Sequence, residues 1–414
     1  MKSTNLSNSI TVFLSGDVMT GRGVDQVMQH PSVPRIHEPV LKGFLKNVIR
    51  AWSQYRVHSG QSWRLLLRGI GTISFGRSAK GYVYLAENRH GRIPQPIAFE
   101  YIWGDAIKEF ADVPSDVRIV NLETSITTND APWINKNIHY RMNPKNIPCL
   151  KSARIDCCAV ANNHVLDWGY AGLEETLEVL RQSGIQATGA GQDLDEAEAH
   201  ATVDVTGKGR VLVFAFGHHS SFIPRKWAAF HNQPGVNLLG DLSGSTIRGI
   251  RERILRVKQS TDIVVASIHW GHNWGYEIPA EHRMFAHKLI EEAAVDVVHG
   301  HSSHHVKGIE VYRDRLILYG CGDLLNDYEG IGMPEDYRPY LGLMYFARIN
   351  ASTGKLVHLR MTPMKMKRFA LNRASHTDAL WLKSRLNREG ERLGTRVELS
   401  EIDETLSLLW ESPS

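Results

Sequence analysis

Short, continuously apolar runs alternate with amphipathic stretches along this chain, and this alternation restricts the fold more than any other feature of the sequence. The runs are rich in β-branched residues and predict strands at 11–15, 117–122, 157–161, 211–216, 263–270, 295–299 and 315–320. Helical periodicity occurs at 170–184, 246–260 and 280–294. Continuous rather than alternating apolar runs are typical of strands covered on both faces. The sequence therefore predicts a layered α/β protein with a mostly internal sheet.

Size and composition restrict the class of protein. A chain of 414 residues can form one large α/β domain with additions, or two domains. The formal net charge of +4 is small for this length and gives no argument for a nucleic-acid partner. The four cysteines contain no CxxC pattern, which argues against a disulfide framework or a structural zinc site. Because no segment reaches about 18 apolar residues, we expect a soluble, cytoplasmic protein without a membrane span.

Polar side chains of a particular kind follow the predicted strands. In chain order, the strands end in or just before these residues: Asp17, Glu123, Asn163 with His164, His269, and His301 with His304. Binding sites in open α/β sheets form beyond the carboxyl ends of the strands. Carboxylates, an amide oxygen and imidazoles suit a pair of divalent transition-metal ions. One such strand end is more often a cap, but five together predict a metal centre.

The motifs around these residues resemble a known family. They are GDVMTGRG (16–23), NLETSIT (121–127), ANNHVLDWGYAG (161–172), TGAGQDLDEA (188–197), SIHWG (267–271) and HGHSSHHVKGIE (299–310). Over about residues 11 to 345 the chain resembles the CapA capsule-synthesis, or poly-γ-glutamate biosynthesis, family, which has the calcineurin-like metallophosphoesterase fold. The resemblance implies a four-layered α/β/β/α fold, with two sheets between helices and a dinuclear metal centre at the strand ends.

The resemblance also implies roles for individual residues. The implied metal ligands are Asp17, Glu123 as the bridging carboxylate, Asn163, His269, His301 and His304, while His164 lies near the leaving group. The wider superfamily places a histidine two residues after the first aspartate, where this chain has Met19. It also uses Gly-His-x-His, whereas the spacing here is Gly-His-x-x-His. The CapA family shares both departures, which leave the coordination of the first metal open.

The remaining histidines of this region receive simpler interpretations. His272, His282 and His287 fall on or beside the predicted helix at 280–294, and we expect them in solvated positions. His299 and His305 flank the predicted ligand pair, and we expect them to contact the ligands rather than the metal.

Two functions of different classes fit these residues. The first is a metal-dependent hydrolase of the phosphoesterase type that uses two divalent ions (Mn, Fe, Zn or Mg), with His164 as the general acid. The second is a non-hydrolytic metal-binding component of poly-γ-glutamate or capsule polymer synthesis. Both imply an anionic small-molecule or polymer substrate and no nucleic acid. Arg22 and Arg141 are candidates for binding that substrate, or they form structural ion pairs.

The chain divides into a main domain at 11–350 and a C-terminal α+β extension at 351–414, with a helix at 378–394 followed by a strand pair. Residues 39–86 carry eight Lys or Arg and no Asp or Glu. Within this segment, 43–77 is predicted to be an insertion relative to the family. Three interpretations of this insertion stay open. It is a flexible insertion without consequence, it is a segment that is not true coding sequence, or it is a basic surface that contacts an anionic polymer or lipid headgroups.

Overall fold

The structure is a computed structural model that describes residues 8–37, 78–331 and 333–411. The predicted insertion at 43–77 lies outside the described residues. The α-helices are α1 (Gly23–Val27), α2 (Lys80–His90), α3 (Ala106–Asp112), α4 (Pro148–Ser152), α5 (Gly169–Gln182), α6 (Leu194–Glu198), α7 (Gly244–Leu255), α8 (Ala280–Glu292) and α9 (His376–Gly390). Short 3-10 helices lie at Tyr101–Trp103, Pro144–Asn146, His219–Ser221, Arg225–Trp227 and Glu335–Tyr337.

The strands include the predicted apolar runs, with additional strands between these runs and toward the C-terminus. They are β1 (Ser9–Val18), β2 (Val117–Leu122), β3 (Ser125–Ile126), β4 (Arg141–Met142), β5 (Cys157–Ala159), β6 (Gln186–Thr188), β7 (Ala190–Gly191), β8 (Ala201–Val205), β9 (Gly209–His218), β10 (Gly235–Val236), β11 (Leu238–Leu239), β12 (Ile263–His269), β13 (Val297–His301), β14 (Ile309–Tyr312), β15 (Arg315–Leu318), β16 (Asp323–Leu325), β17 (Leu341–Asn350), β18 (Leu356–Lys367), β19 (Ala370–Arg373), β20 (Thr395–Leu399) and β21 (Leu406–Trp410). Each strand predicted from an apolar run is present, which confirms the mixed α/β class.

Two large sheets organise the described part of the chain. The first has ten strands among the described residues, in the order β20-β21-β18-β17-β1-β2-β5-β6, with β16 beside β1 and β19 beside β18. Strands β1, β2, β5 and β6 run parallel to one another. The second sheet has seven strands over the same ranges, in the order β11-β9-β12-β13-β15-β14, with β8 beside β9. Its strands β9, β12, β13 and β15 are also parallel.

Buried apolar side chains form three clusters that explain why the central strands are apolar on both faces. One cluster combines side chains from both sheets, such as Val12 of β1 and Val265 of β12. A second joins the first sheet to α2, α3 and α5, and a third joins the second sheet to α7 and α8. Strand β12 is buried along its whole length. The hydrophobic effect therefore favours these strands from both sides.

The C-terminal region continues the first sheet. Strand β18 pairs with β17, and β21 pairs with β18, so the region from 356 onward shares a sheet with β1. The helix and strand pair expected after residue 378 are present as α9, β20 and β21. Across the described ranges, no helix combines the length and apolar character needed to cross a membrane.

Candidate metal centre

Asp17, near the end of β1, is a buried carboxylate at the middle of the candidate site. Its Oδ1 accepts a hydrogen bond from Asn121 Nδ2 at 2.7 Å. Its Oδ2 is buried and receives no donor from the described residues. Burial, and then the charge of Asp323, raise the pKa of Asp17 to about 7. The charge of His304 and the hydrogen bond from Asn121 offset this rise only in part.

A close backbone approach places Asp17 beside Asp323. The two residues are paired in register between the parallel strands β1 and β16. A Cβ on Gly16 would lie 1.6 Å from the Gly322 carbonyl oxygen, and Gly322 itself has a φ of +75°. Glycine at both positions is therefore needed for the two Gly-Asp segments to meet.

Asp17, His269 and His301 form the first group of possible metal ligands, and their ligand atoms lie within 4.8 Å of one another. The two imidazoles meet with their Nδ1 atoms 2.7 Å apart. Burial lowers the pKa of both histidines well below 6.5. Two neutral imidazole nitrogen atoms at this distance either share a proton or bind the same cation. Ser267 Oγ lies 2.9 Å from Nε2 of His301 and fixes the orientation of its ring.

The second group is formed by Asp17, His304 and Asp323. Nδ1 of His304 lies 2.9 Å from Oδ1 of Asp323, whose other oxygen accepts from Asn326 Nδ2 at 3.0 Å. Burial alone would lower the pKa of His304, but the charge of Asp323 raises it. The residue after His301, Ser302, has a φ of +96°. This strained residue lies within the longer Gly-His-x-x-His motif. In this motif His301 contributes to the first group of possible ligands and His304 to the second.

Glu123 and Asn163 lie beside these groups. Glu123 follows β2, and its Oε2 is buried without a donor from the described residues. Burial, and then the charge of Asp17, raise the pKa of Glu123 well above its ordinary value. Oδ1 of Asn163 lies 3.0 Å from Nε2 of His269. Both side chains therefore border the centre, although Glu123 belongs to neither three-residue group.

The donor set fits divalent metal ions. Three carboxylates, those of Asp17, Glu123 and Asp323, are buried close together; the charge of Asp323 raises the pKa of Asp17, and the charges of Asp17 and Asp323 raise the pKa of Glu123. Buried like charges are costly unless cations compensate them. Oxygen atoms without donors next to neutral imidazoles are the ligands that Mn, Fe or Zn ions bind. The residues present are thus suited to hold a metal ion.

His164 points its Nε2 toward Glu123 Oε1, at 3.5 Å. Its Nδ1 lies 2.7 Å from Asp167 Oδ2, and the Lys136 ammonium lies 2.7 Å from the other oxygen of Asp167. Burial, and then the positive charge of Lys136, hold the pKa of His164 well below 6.5. Asp167 therefore fixes the orientation of the ring, while burial and Lys136 favour its neutral state.

Both predicted substrate-binding arginines have partners within the chain. The Arg22 guanidinium is buried and donates to both oxygens of Asp327, from Nε at 3.1 Å and from Nη2 at 2.5 Å. Arg141 pairs with Asp130 at 2.8 Å and lies 3.9 Å from the ring centroid of Trp168. These contacts are the structural ion pairs that the sequence left open, and substrate binding by either residue stays a prediction.

Sequence reasoning missed Asp323, Asp167 and Lys136. Asp323 had a recognisable signal, because a Gly-Asp pair comes just after the run at 315–320, as Gly16 and Asp17 come just after the run at 11–15. Asp167 stands three residues after His164, a spacing at which side chains of a tight turn meet. Lys136 lies in a loop between β3 and β4 and carried no signal. The sequence alone does not reveal that this loop folds over His164.

One histidine interpretation was wrong. His282 was expected in solvent, but it is buried in the first turn of α8 and stacks on Trp270 with ring centroids 4.5 Å apart. This turn of the helix faces the sheet rather than solvent, so the ring packs against the strand end. His299 contacts the Ser15 carbonyl at 2.7 Å and Ser267 Oγ at 3.1 Å, and thereby connects the two sheets.

Comparisons with known proteins place the chain in a family. Residues 11–328 match the family model described as bacterial capsule synthesis protein PGA_cap, so the chain belongs to this family and the resemblance read from the motifs is confirmed. A probable polyglutamine synthesis accessory protein of Mycobacterium tuberculosis is 41% identical over 94% of this chain and 93% of its own length. The PGA biosynthesis protein CapA of Bacillus subtilis is 28% identical over 51% of this chain and 54% of its own length. The capsule biosynthesis protein CapA of Bacillus anthracis is 23% identical over 64% and 60%.

Proposed function

We propose that this chain is a metal-dependent hydrolase of the phosphoesterase type that acts in capsule or poly-γ-glutamate metabolism. The observation that carries the proposal is the cluster of three buried carboxylates, Asp17, Glu123 and Asp323, against facing imidazoles. The family is of the metallophosphoesterase-like type, and the names of its relatives supply the biological setting. The three apolar clusters support the four-layered α/β/β/α arrangement that this fold implies.

Two divalent ions are proposed as cofactors because the site contains two groups of possible ligands that share one residue. Asp17 belongs to both groups and is available to both ions. Oε2 of Glu123, which has no donor from the described residues, supports the bridging role that the family resemblance implies. Oδ1 of Asn163 would complete the ligands around His269, which lies 3.0 Å away.

The chemistry divides between the ions and the chain. When bound, such ions lower the pKa of water and neutralise charge on a phosphoryl group. Asp167 holds Nδ1 of His164 and leaves Nε2 facing the centre, where the ring in its protonated form would donate a proton to a departing oxygen. Lys136, whose side chain is largely buried next to His164, brings a positive charge for an anionic substrate.

A second candidate function is that of a metal-binding component without hydrolytic activity. One observation from the site and one from the relatives favour it. The relative from Mycobacterium tuberculosis is named an accessory protein, which suits a metal-binding component without hydrolytic activity. At the position where the wider superfamily has a metal-binding histidine, Met19 accepts a weak hydrogen bond from the Tyr328 hydroxyl at 3.5 Å. Such a protein would bind metal and an anionic polymer but would not turn over a phosphoester.

Elemental analysis of protein purified without chelator tests the metal proposal first. We expect about two equivalents of Mn, Fe or Zn per chain, and fewer in Asp17→Ala. About one equivalent would limit the proposal to a single ion, and no metal after reconstitution would exclude both metal-binding functions. Hydrolysis of bis(p-nitrophenyl) phosphate and p-nitrophenyl phosphate by the metal-loaded protein then separates the enzyme from the accessory component. Metal binding without turnover on a broader panel of phosphoesters would favour the latter.

A further inference from the structure

Lys307 is a buried cation that forms no ion pair with the described residues. It is 7% exposed, and its ammonium donates to the Glu277 carbonyl at 3.3 Å. Among the described residues it forms no ion pair with a carboxylate. The nearby Glu389 is paired with Arg385 instead, at 3.5 Å. Because an unpaired buried charge destabilises a fold, its presence points to a partner from outside the chain.

Two polar atoms on residues near Lys307 have no hydrogen-bond partner among the described residues. The Tyr276 hydroxyl and Nε2 of His305 are buried, and neither has a hydrogen bond to a described residue. Their rings are in edge contact, with centroids 4.6 Å apart. Tyr276 precedes the residue whose carbonyl contacts Lys307, and His305 precedes Lys307 by two positions. The two unsatisfied atoms therefore lie on residues close to Lys307 in the chain, and buried groups of this kind usually have a ligand or an ordered water.

The C-terminal helix contributes a second cation. Arg385 of α9 lies over the Tyr276 ring, 4.1 Å from its centroid. Tyr337 stacks on His305 at 4.6 Å and closes the opposite side. Trp274 contacts both His305 and the candidate metal ligand His304, with centroids 6.2 and 5.5 Å apart. The cluster thus adjoins the metal centre, although α9 lies outside the 11–328 family match.

We propose that Tyr276, His305, Lys307 and Arg385, here called the distal anion site, bind a carboxylate or phosphate group of a ligand whose reacting part lies at the metal centre. Lys307 and Arg385 supply positive charge, and the Tyr276 hydroxyl donates a directional hydrogen bond. Nδ1 of His305 donates to the Val306 carbonyl at 3.1 Å, so its Nε2 accepts a hydrogen bond from a protonated oxygen of the ligand or from a bridging water. A ligand with anionic groups along its length would contact the metal ions and this site together. This last step rests on the proposed function, but anion binding by the four residues does not.

Calorimetric titration of the full-length, metal-loaded protein tests the site with two probes, inorganic phosphate and a synthetic hexamer of glutamate. Lys307→Met keeps the length of the side chain but removes the charge, and Tyr276→Phe removes one hydroxyl. Arg388→Met is the matched control, since Arg388 is exposed on the same helix as Arg385. We expect each site variant to weaken binding of at least one probe by about ten- to a hundredfold, and the control to leave it unchanged.

Thermal unfolding of the same samples separates a binding role from a structural one. If Lys307 serves a ligand, Lys307→Met keeps or raises the melting temperature while it weakens binding. A loss of stability together with unchanged affinity in Tyr276→Phe would overturn the proposal, as would unchanged affinity in both variants. Weaker binding of phosphate alone assigns the site to phosphate, and weaker binding of the hexamer alone assigns it to carboxylate. The metal content of each sample reports separately on the proposed metal centre.

Discussion

Asp17 and Asp323 occupy paired positions on the parallel strands β1 and β16, although 306 residues separate them in the chain. Both are buried, and the charge of Asp323 contributes to the raised pKa of Asp17. Fixed strands cannot move apart to relieve this repulsion. The strand register therefore maintains a concentration of negative charge that only bound cations or protons can offset.

The first prediction concerns Asp323, because it was not among the ligands expected from the sequence. Asp323→Asn removes one carboxylate charge and leaves a side chain of the same shape. We expect the metal content to fall by about one equivalent per chain, since one ligand group loses its second carboxylate. Elemental analysis after desalting measures this change. Asp336→Asn, at an exposed position nearby, is the control, and equal metal content in the two variants would rule out Asp323 as a ligand.

The second prediction concerns the orientation of His164. Asp167→Asn keeps an acceptor for Tyr140 N but loses the charge that pairs with Lys136 and His164. We expect metal content to be unchanged and hydrolysis of a phosphoester to fall by about 10²- to 10⁴-fold. Steady-state rates should show the loss in kcat rather than in KM. Asp195→Asn, exposed on α6, should keep the wild-type rate, and a wild-type rate in Asp167→Asn would exclude the proposed role.

The third prediction separates the two interpretations of Arg22. Arg22→Met leaves the buried Asp327 carboxylate without its guanidinium, which should cost about 3–5 kcal/mol of unfolding free energy. Adding Asp327→Asn removes the orphaned charge but keeps an acceptor for Gly23 N, so the double variant should regain part of that loss. Urea unfolding of the single and double variants measures both effects. An unchanged free energy of unfolding with weaker substrate binding would instead assign Arg22 to the substrate.

The fold was largely predictable because its information is local. The runs at 117–122 and 263–270 are apolar without alternation, and the structure buries β2 and β12 completely. The strands β17 and β18 were not identified from the sequence. They pair with each other, and β17 pairs with β1, outside the alternation of strands and helices that marked the other strands. The sequence of β18 mixes polar and apolar residues and gave a weaker signal than the parallel strands did, whereas β17 is apolar from 341 to 347 and was overlooked.

The site was predictable only where its residues end a recognised strand or belong to a motif. His269 and His301 satisfy both conditions, and the structure brings them together. Lys136 satisfies neither, because its position depends on how a loop of about a dozen residues folds back over His164. Long-range contacts of this kind are set by tertiary packing rather than by local pattern.

The fourth prediction is a pH dependence of stability that arises from Asp25, which lies outside the candidate metal centre. Burial raises the pKa of Asp25 to about 6, above the 3.8 expected for an unfolded chain. The protonated form therefore favours folding at low pH, and this contribution is lost as the pH rises from about 4 to about 6. The wild-type protein should lose up to about 3 kcal/mol relative to Asp25→Asn over this interval. Urea unfolding at several pH values, in chelator, measures the difference, and a constant difference would show that Asp25 is not perturbed.

The last prediction uses two glycines to test the contact that brings Asp17 to Asp323. Gly16→Ala would place a Cβ 1.6 Å from the Gly322 carbonyl oxygen, a backbone atom that cannot rotate away. The strands must separate, so we expect a loss of more than about 4 kcal/mol or a failure to fold. Gly249 lies inside α7 with no atom within 4 Å of its hypothetical Cβ.

Gly249→Ala should therefore stabilise the protein by about 0.5–1 kcal/mol through helix propensity alone. Together, the two substitutions add the same methyl group with opposite expected results, so a general intolerance of alanine cannot explain them. Circular dichroism and urea unfolding measure both variants. A folded Gly16→Ala protein with full metal content would mean that the metal centre does not require the close approach of β1 to the Gly322 turn.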